Sequence, residues 1–163
     1  MTERPRFSTN DKLSGAFELD ALPYSNQKRL LSDGERRFYQ QGLLPAIGDR
    51  FNINLKTRLT DILGVPAGQW RAAAGRKISQ RHVDFVLCSK KALSIVAVIE
   101  LDDASHLSEE QEEKDNHLDD ALFAAGIPIM RFPIYKCYNA AKIRAIINRV
   151  LKTHPLRAKR NAK

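Results

Sequence analysis

Three carboxylates stand where the surrounding sequence leaves little room for water. Asp84 lies within His82-Val83-Asp84-Phe85-Val86-Leu87-Cys88, and Glu100 and Asp102 end the nearly all-apolar run that begins at Ser94. Val83, Phe85 and Leu87 alternate as one apolar face of a strand, while Ser94 to Leu101 reads as a buried central strand. The few residues between them, Ser89, Lys90 and Lys91 included, suit an antiparallel hairpin. A hairpin centred near Ala92 sets Cys88 opposite Val96, Val86 opposite Val98 and Asp84 opposite Glu100. A shift of one step of the same parity sets Asp84 opposite Asp102 instead. Because side chains alternate with period two, Glu100 and Asp102 share a face, and directly opposed residues share it too. Opposed carboxylates repel by roughly 0.2 to 1 kcal/mol, and by more once desolvated, so this trio needs a cation. A lysine or arginine would make a buried ion-pair network. A hard divalent ion such as Mg²⁺, held by one or two carboxylates with phosphate and water completing its shell, would equip the site for phosphodiester hydrolysis.

The elements that must hold these groups follow from periodicity. Ser32 and Glu35 match a capping box, and Phe38, Tyr39 and Leu43 follow at helical spacing, predicting a helix over 33–44. Residues 52–59 read as a strand, and 66–76, with Gly68, Gly75 and the single tryptophan Trp70, as a loop. Residues 108–125 open with Ser108 and Gln111, align Leu118, Ala121, Leu122 and Ala125 on one stripe and stop at Gly126, an amphipathic helix. Lys114 stands at the N-terminal end of that stripe. A short strand over 127–132 and a helix over 140–151, with Ile143, Ile146, Ile147 and Val150 inward, complete an α/β fold whose mixed sheet of about four strands is flanked by helices. Residues 1–29, with Pro5 and Pro23 and no sustained period, read as a loosely ordered arm, 30–151 as the domain, and 152–163 as a basic tail.

A chain of 163 residues, 43% apolar and 7% aromatic, suits one ordinary globular domain and not a disordered tail protein. Its clean apolar runs, 95–99 and 121–130, fall far short of the roughly 20 residues that cross a bilayer, and no signal peptide opens it, so the expectation is a cytoplasmic protein without a membrane partner. Cys88 and Cys137 lack metal or disulfide spacing and are expected as reduced core residues. The net charge of +8 is unevenly placed. Lys56 to Lys91 holds eight bases and two acids, Glu100 to Asp120 holds ten acids and one lysine, and Lys152 to Lys163 adds five bases. A basic surface beside a carboxylate cluster suits a polyanion. Arg58, Arg71, Arg76, Lys77, Arg81 and the tail are candidate nucleic-acid contacts, with Trp70 either stacking on a base or filling the core. Arg131 either touches a phosphate or pairs with an acid of the site. No motif for reading base sequence is visible.

Leu30-Leu31-Ser32 to Glu35, His82 to Leu87, Val98-Ile99-Glu100-Leu101-Asp102-Asp103-Ala104-Ser105-His106, Lys114-Asp115 and Ala125-Gly126-Ile127-Pro128 together resemble the bacterial domain-of-unknown-function family 2726, within the PD-(D/E)xK nuclease superfamily. The resemblance covers about residues 30–150, and its most specific block is Glu-Leu-Asp-Asp-x-Ser-His. It implies a restriction-endonuclease-like core in which Asp84 and Glu100 bind Mg²⁺, or Mn²⁺ in its place, with the Leu101 carbonyl assisting and Glu35 completing or supporting the site. The ion would polarise the scissile phosphate and acidify a water for attack. The chain departs from the signature two residues after the glutamate, where Asp102 replaces the expected lysine. Three remedies stay open: His106 as proton acceptor with Asp102 as an added ligand, as in the similar very-short-patch repair endonucleases; Lys114 reaching from its helix; or Lys77 from the loop before the second strand. His82, near a strand start, and His117, on the acidic helix, read more simply as structural and surface residues.

The expectation is therefore a metal-dependent nuclease acting on DNA, with Asp84, Glu100, Asp102, His106, Lys114 and Glu35 as its catalytic set. The competing expectation is a non-catalytic nucleic-acid-binding module that keeps the fold and a degenerate site.

Overall fold

The computed structural model describes residues 23–68, 73–102 and 109–154. The arm before Pro23, the segment with Trp70 and Arg71, the segment with His106 and the tail beyond His154 lie outside them. Four strands form one sheet in the order β1 (Phe51–Arg58), β2 (His82–Ser89), β3 (Ile95–Asp102) and β4 (Ile129–Pro133). The first three run antiparallel in sequence order, and β4 returns parallel to β3, with Glu100 beside Arg131. A parallel neighbour requires a crossover, supplied by α5 (Glu109–Ala124).

Helices cover both faces. On one, α1 (Asp33–Arg37) runs through a π-helical segment (Phe38–Leu43) into α2 (Leu44–Ile47), and α6 (Ala140–Thr153) packs beside it. Phe38, Leu43, Ile47, Phe85, Ile99 and Ile147 make that core. On the other, α3 (Leu59–Ile62), α4 (Ala73–Ser79) and α5 close over Val83, Val86, Val98, Leu118 and Leu122. This is the α/β fold with a mixed four-stranded sheet that the periodicity predicts, and it is compatible with a restriction-endonuclease-like core.

Within the π-helical segment, Gly42 faces α6 at close range. A side chain at Gly42 would put its Cβ 2.7 Å from Ile143 Cδ1 of α6 and 3.2 Å from Tyr138 Cβ. On the same segment Phe38 sits among the rings of Phe85, Phe132 and Tyr138, with centroids 5.0 to 5.7 Å away. At the far end of α5, Gly126 has φ +73°. It donates to Phe123 O while Ile127 donates to Leu122 O, so the helix ends where the glycine predicts.

Several expectations need correction. Residues 73–76 of the expected loop belong to α4 (Ala73–Ser79), and Leu59, the last residue of the expected strand, opens α3 (Leu59–Ile62), which takes the place of the turn expected after it. Cys88 is paired with Ile95, not Val96, because the hairpin slips between Leu87 and Cys88. Cys137 is exposed; only Cys88 is buried. Ile146, expected inward on the last helix, is exposed, while Ile143 and Ile147 are buried. Val83 does not share a face with Phe85 and Leu87 but packs in the opposite core. The alternation breaks at the intervening residue, Asp84, and Lys56 on β1 directly across from it has φ +48°.

Candidate active site

The antiparallel ladder between β2 and β3 ends at the pair Phe85–Ile99. Continued by one step, its register sets Asp84 against Glu100, the first of the two alignments that the hairpin allows. Past that point the side chain of Asp84 takes over from the main chain, for its Oδ2 accepts the Leu101 amide at 3.0 Å. A carboxylate is thus built into the sheet where two strands part, and Asp84 is only 7% exposed, the one buried charged residue among those described.

Its other oxygen meets a lysine. Lys56 Nζ lies 2.7 Å from Asp84 Oδ1 and 2.6 Å from Glu35 Oε1. The two pairs are largely shielded, with the side chains of Lys56, Glu35 and Asp84 at 21, 14 and 10% exposure. Glu35 is aimed by the capping box. Ser32 Oγ accepts the Glu35 amide at 3.3 Å while Glu35 Oε2 accepts the Ser32 amide at 2.8 Å, leaving Oε1 for the lysine. Burial works against the charge on Glu35, but the Lys56 ammonium and the Ser32 amide hold its carboxyl below the usual range. Burial likewise opposes the charge on Lys56, and Asp84 and Glu35 outweigh it and raise its pKa. A left-handed conformation at a non-glycine residue is uncommon in a strand and costs about 1 kcal/mol or more. Here it accompanies the ammonium's position between the two acids.

Glu100 completes the cluster. Burial first, and then the adjacent Asp84 charge, push its carboxyl up to about 8 against the lesser pull of Arg131, the Asp84 amide and Lys56. Its Oε1 is buried with no hydrogen-bond partner among the described residues. A hard cation suits this donor set, since Asp84 offers an anionic oxygen and Glu100 an unsatisfied one that becomes anionic once an ion displaces its proton. Among the described residues, Asp84 and Glu100 are the carboxylates that could hold it.

Asp102 turns elsewhere. Its Oδ1 accepts from Arg131 Nη1 at 2.9 Å, and Arg131 Nη2 reaches Asp119 Oδ1 of α5 at 3.0 Å. Arg131 therefore bridges acids from a strand and a helix, and their charges raise its pKa against the effect of burial. No group of three or more His, Cys, Asp or Glu side chains converges to hold a metal among the described residues. The structure thus brings together Glu35, Asp84 and Glu100 of the expected catalytic set and draws Asp102 toward Arg131. His106 and the side chain of Lys114 lie outside the described residues.

Lys56 is the site residue that sequence reasoning missed. Its charge at the end of an alternating strand was visible, but alternation with Phe51, Ile53 and Leu55 would turn it away from α1, and the left-handed backbone at Lys56 breaks that alternation. What the sequence lacked was the register of β1 against β2, set by residues 28 apart in the chain.

The expected nucleic-acid contacts separate into three groups. Arg58 pairs with Asp61 at the surface. Arg131 is held by Asp102 and Asp119. Arg76, Lys77 and Arg81, with Gln80, line one wall of a groove of about 770 Å³ whose opposite wall is Asn116, His117 and Asp120 of α5. Its Arg81 immediately precedes β2 and lies three residues before Asp84.

No curated protein and no solved structure gives a significant match to this chain. The family described as protein of unknown function DUF2726 matches residues 27–151, a span that includes the capping box, the hairpin carboxylates and the helix that follows, and the chain belongs to that family.

Proposed function

We propose that the protein is a divalent-metal-dependent nuclease of the PD-(D/E)xK type that hydrolyses DNA phosphodiester bonds in a bacterial cytoplasm. The observation that carries this reading is the pair Asp84 and Glu100 at the split end of β2 and β3, one carboxylate tied into the backbone and the other left with a buried, unpartnered oxygen. Mg²⁺ or Mn²⁺ bound there would polarise a phosphodiester and make water nucleophilic near neutral pH. Asp84 and Glu100 bind and orient; the Leu101 amide fixes the rotamer of Asp84; Lys56 places a positive charge where a phosphate oxygen or leaving group develops negative charge. The basic wall of Arg76, Lys77 and Arg81 offers a path for the phosphate backbone toward the site.

A second reading has its own support. Lys56 already compensates Asp84 and Glu35, as a non-catalytic nucleic-acid-binding module with a degenerate site would require. One experiment separates the two: plasmid and single-stranded DNA incubated with Mg²⁺ or Mn²⁺, using wild type, Asp84→Ala and Glu100→Ala. Cutting that both substitutions abolish while circular dichroism and thermal unfolding stay native-like supports the nuclease. Salt-sensitive binding with no cutting in either metal favours the module.

A further inference from the structure

We infer that Lys56 is a built-in counter-cation that an incoming divalent ion must displace from Asp84, and that Glu35 retains the displaced ammonium at the site. The inference rests on reading Asp84 and Glu100 as the divalent-ion pair. Without such an ion, the buried end of β2 and β3 would hold Asp84 and Glu100 with Glu35 close by. Lys56 reaches in from the edge strand, 2.7 Å from Asp84 and 2.6 Å from Glu35, and covers one Asp84 oxygen. The other Asp84 oxygen is bound to the Leu101 amide. A metal shell at Asp84 and the ammonium beside it compete for the same charge, because two cations close together in a shielded site repel strongly even at an effective dielectric of about 20.

Glu35 has the geometry of a second berth. It is not a strand residue of the split; it stands on a helix, fixed by the Ser32 cap with Oε2 already used and Oε1 pointed at Nζ. Lys56 has a flexible four-carbon stem, so release of the Asp84 contact leaves the Glu35 contact intact. The ammonium then remains beside the ion instead of leaving for solvent. Arg131, the other cation near Glu100, cannot take this role, since Asp102 and Asp119 hold both of its terminal nitrogens.

Mn²⁺ titration of the full chain, by calorimetry and by the rise in unfolding temperature, tests this in wild type, Lys56→Met, Glu35→Gln and the double variant, with Asp84→Ala as the control for the ion itself. Lys56→Met is expected to bind Mn²⁺ about tenfold tighter or more, and to gain more thermal stability from it than wild type gains. Lys56→Gln serves as the second variant if the methionine fails to fold. Glu35→Gln is expected to weaken Mn²⁺ binding when Lys56 is present and to have little effect in the Lys56→Met background, because Glu35 acts through the lysine. Unchanged or weaker binding in both Lys56 variants overturns the inference. Loss of binding on Glu35→Gln in both backgrounds also overturns it, by making Glu35 a ligand. Failure of wild type and every variant to bind Mn²⁺ sinks the metal-site reading itself, whereas binding that only Asp84→Ala alters sinks the counter-cation alone.

Discussion

At the scale of single residues, the site is a contest between burial and charge. Glu100 is the group on which burial acts most plainly, because its carboxyl, driven up to about 8, has a buried oxygen without a partner among the described residues. The folded protein therefore keeps a proton on Glu100 that the unfolded chain releases above its ordinary value of 4.5. The neutral form is the better-tolerated one, so the contribution is favourable below about pH 4.5 and is lost as pH rises toward about 8, with a slope of at most about 1.4 kcal/mol per pH unit. The charges facing Glu100 are Asp84 on β2, Arg131 on β4 and Lys56 on β1. Denaturant melts in chelator across pH 5 to 8 are expected to show wild type losing stability while Glu100→Gln stays flatter and overtakes it near pH 8. Parallel profiles for the two proteins would sink the assignment of a buried, proton-holding Glu100.

At the scale of elements, function depends on three secondary structures ending or bending at the correct place. The capping box that starts α1 also aims Glu35 at Lys56, so a local helix signal becomes a tertiary contact. The π-helical segment that follows contains Gly42, which packs closely against α6. Gly42→Ala would push a methyl group to 2.7 Å from Ile143 and 3.2 Å from Tyr138. Overpacking of this kind costs about 1 to 3 kcal/mol and should appear as a lower midpoint of chemical denaturation with an unchanged slope. A midpoint equal to wild type would show that the tip of Ile143 turns aside at no cost. The ladder between β2 and β3 ends one step before Asp84 and Glu100, freeing the Leu101 amide for a side chain. Had it continued, Asp84 would lack the bond that anchors it.

At the scale of the whole molecule, charge separation organises the surface. The chain carries +8 overall, yet Arg131 gathers Asp102 and Asp119 while Arg76, Lys77 and Arg81 line one wall of the groove against α5. Among the described residues, no helix is long and apolar enough to cross a membrane. If phosphate groups lie along the groove, the double substitution Arg76→Ala and Lys77→Ala should weaken DNA binding similarly for unrelated sequences. It should also reduce the slope of log K against log salt by about 1 to 2, roughly one for each phosphate that the protein no longer neutralises. Fluorescence anisotropy at several salt concentrations measures both, and an unchanged slope would move the DNA path off this wall.

How much of this was legible in the chain depends on how far apart the interacting residues lie. The alternation through Phe85 and Leu87, the apolar run of β3, the Ser32 to Glu35 cap and the glycine after α5 are short-range signals, and they specify the hairpin, the helix ends and the mixed α/β order. The pairing of Asp84 with Glu100 was within reach because a hairpin is local. The short helices α3 and α4 were not, since four and seven residues carry too little periodicity to distinguish from a loop. Only the tertiary structure decided which cation answers the buried acids. It chose Lys56 through the long-range register of β1 on β2, and it sent Arg131 to Asp102, because a charge in a shielded site is compensated by whichever opposite charge the packed elements bring within hydrogen-bond reach, however distant in the chain.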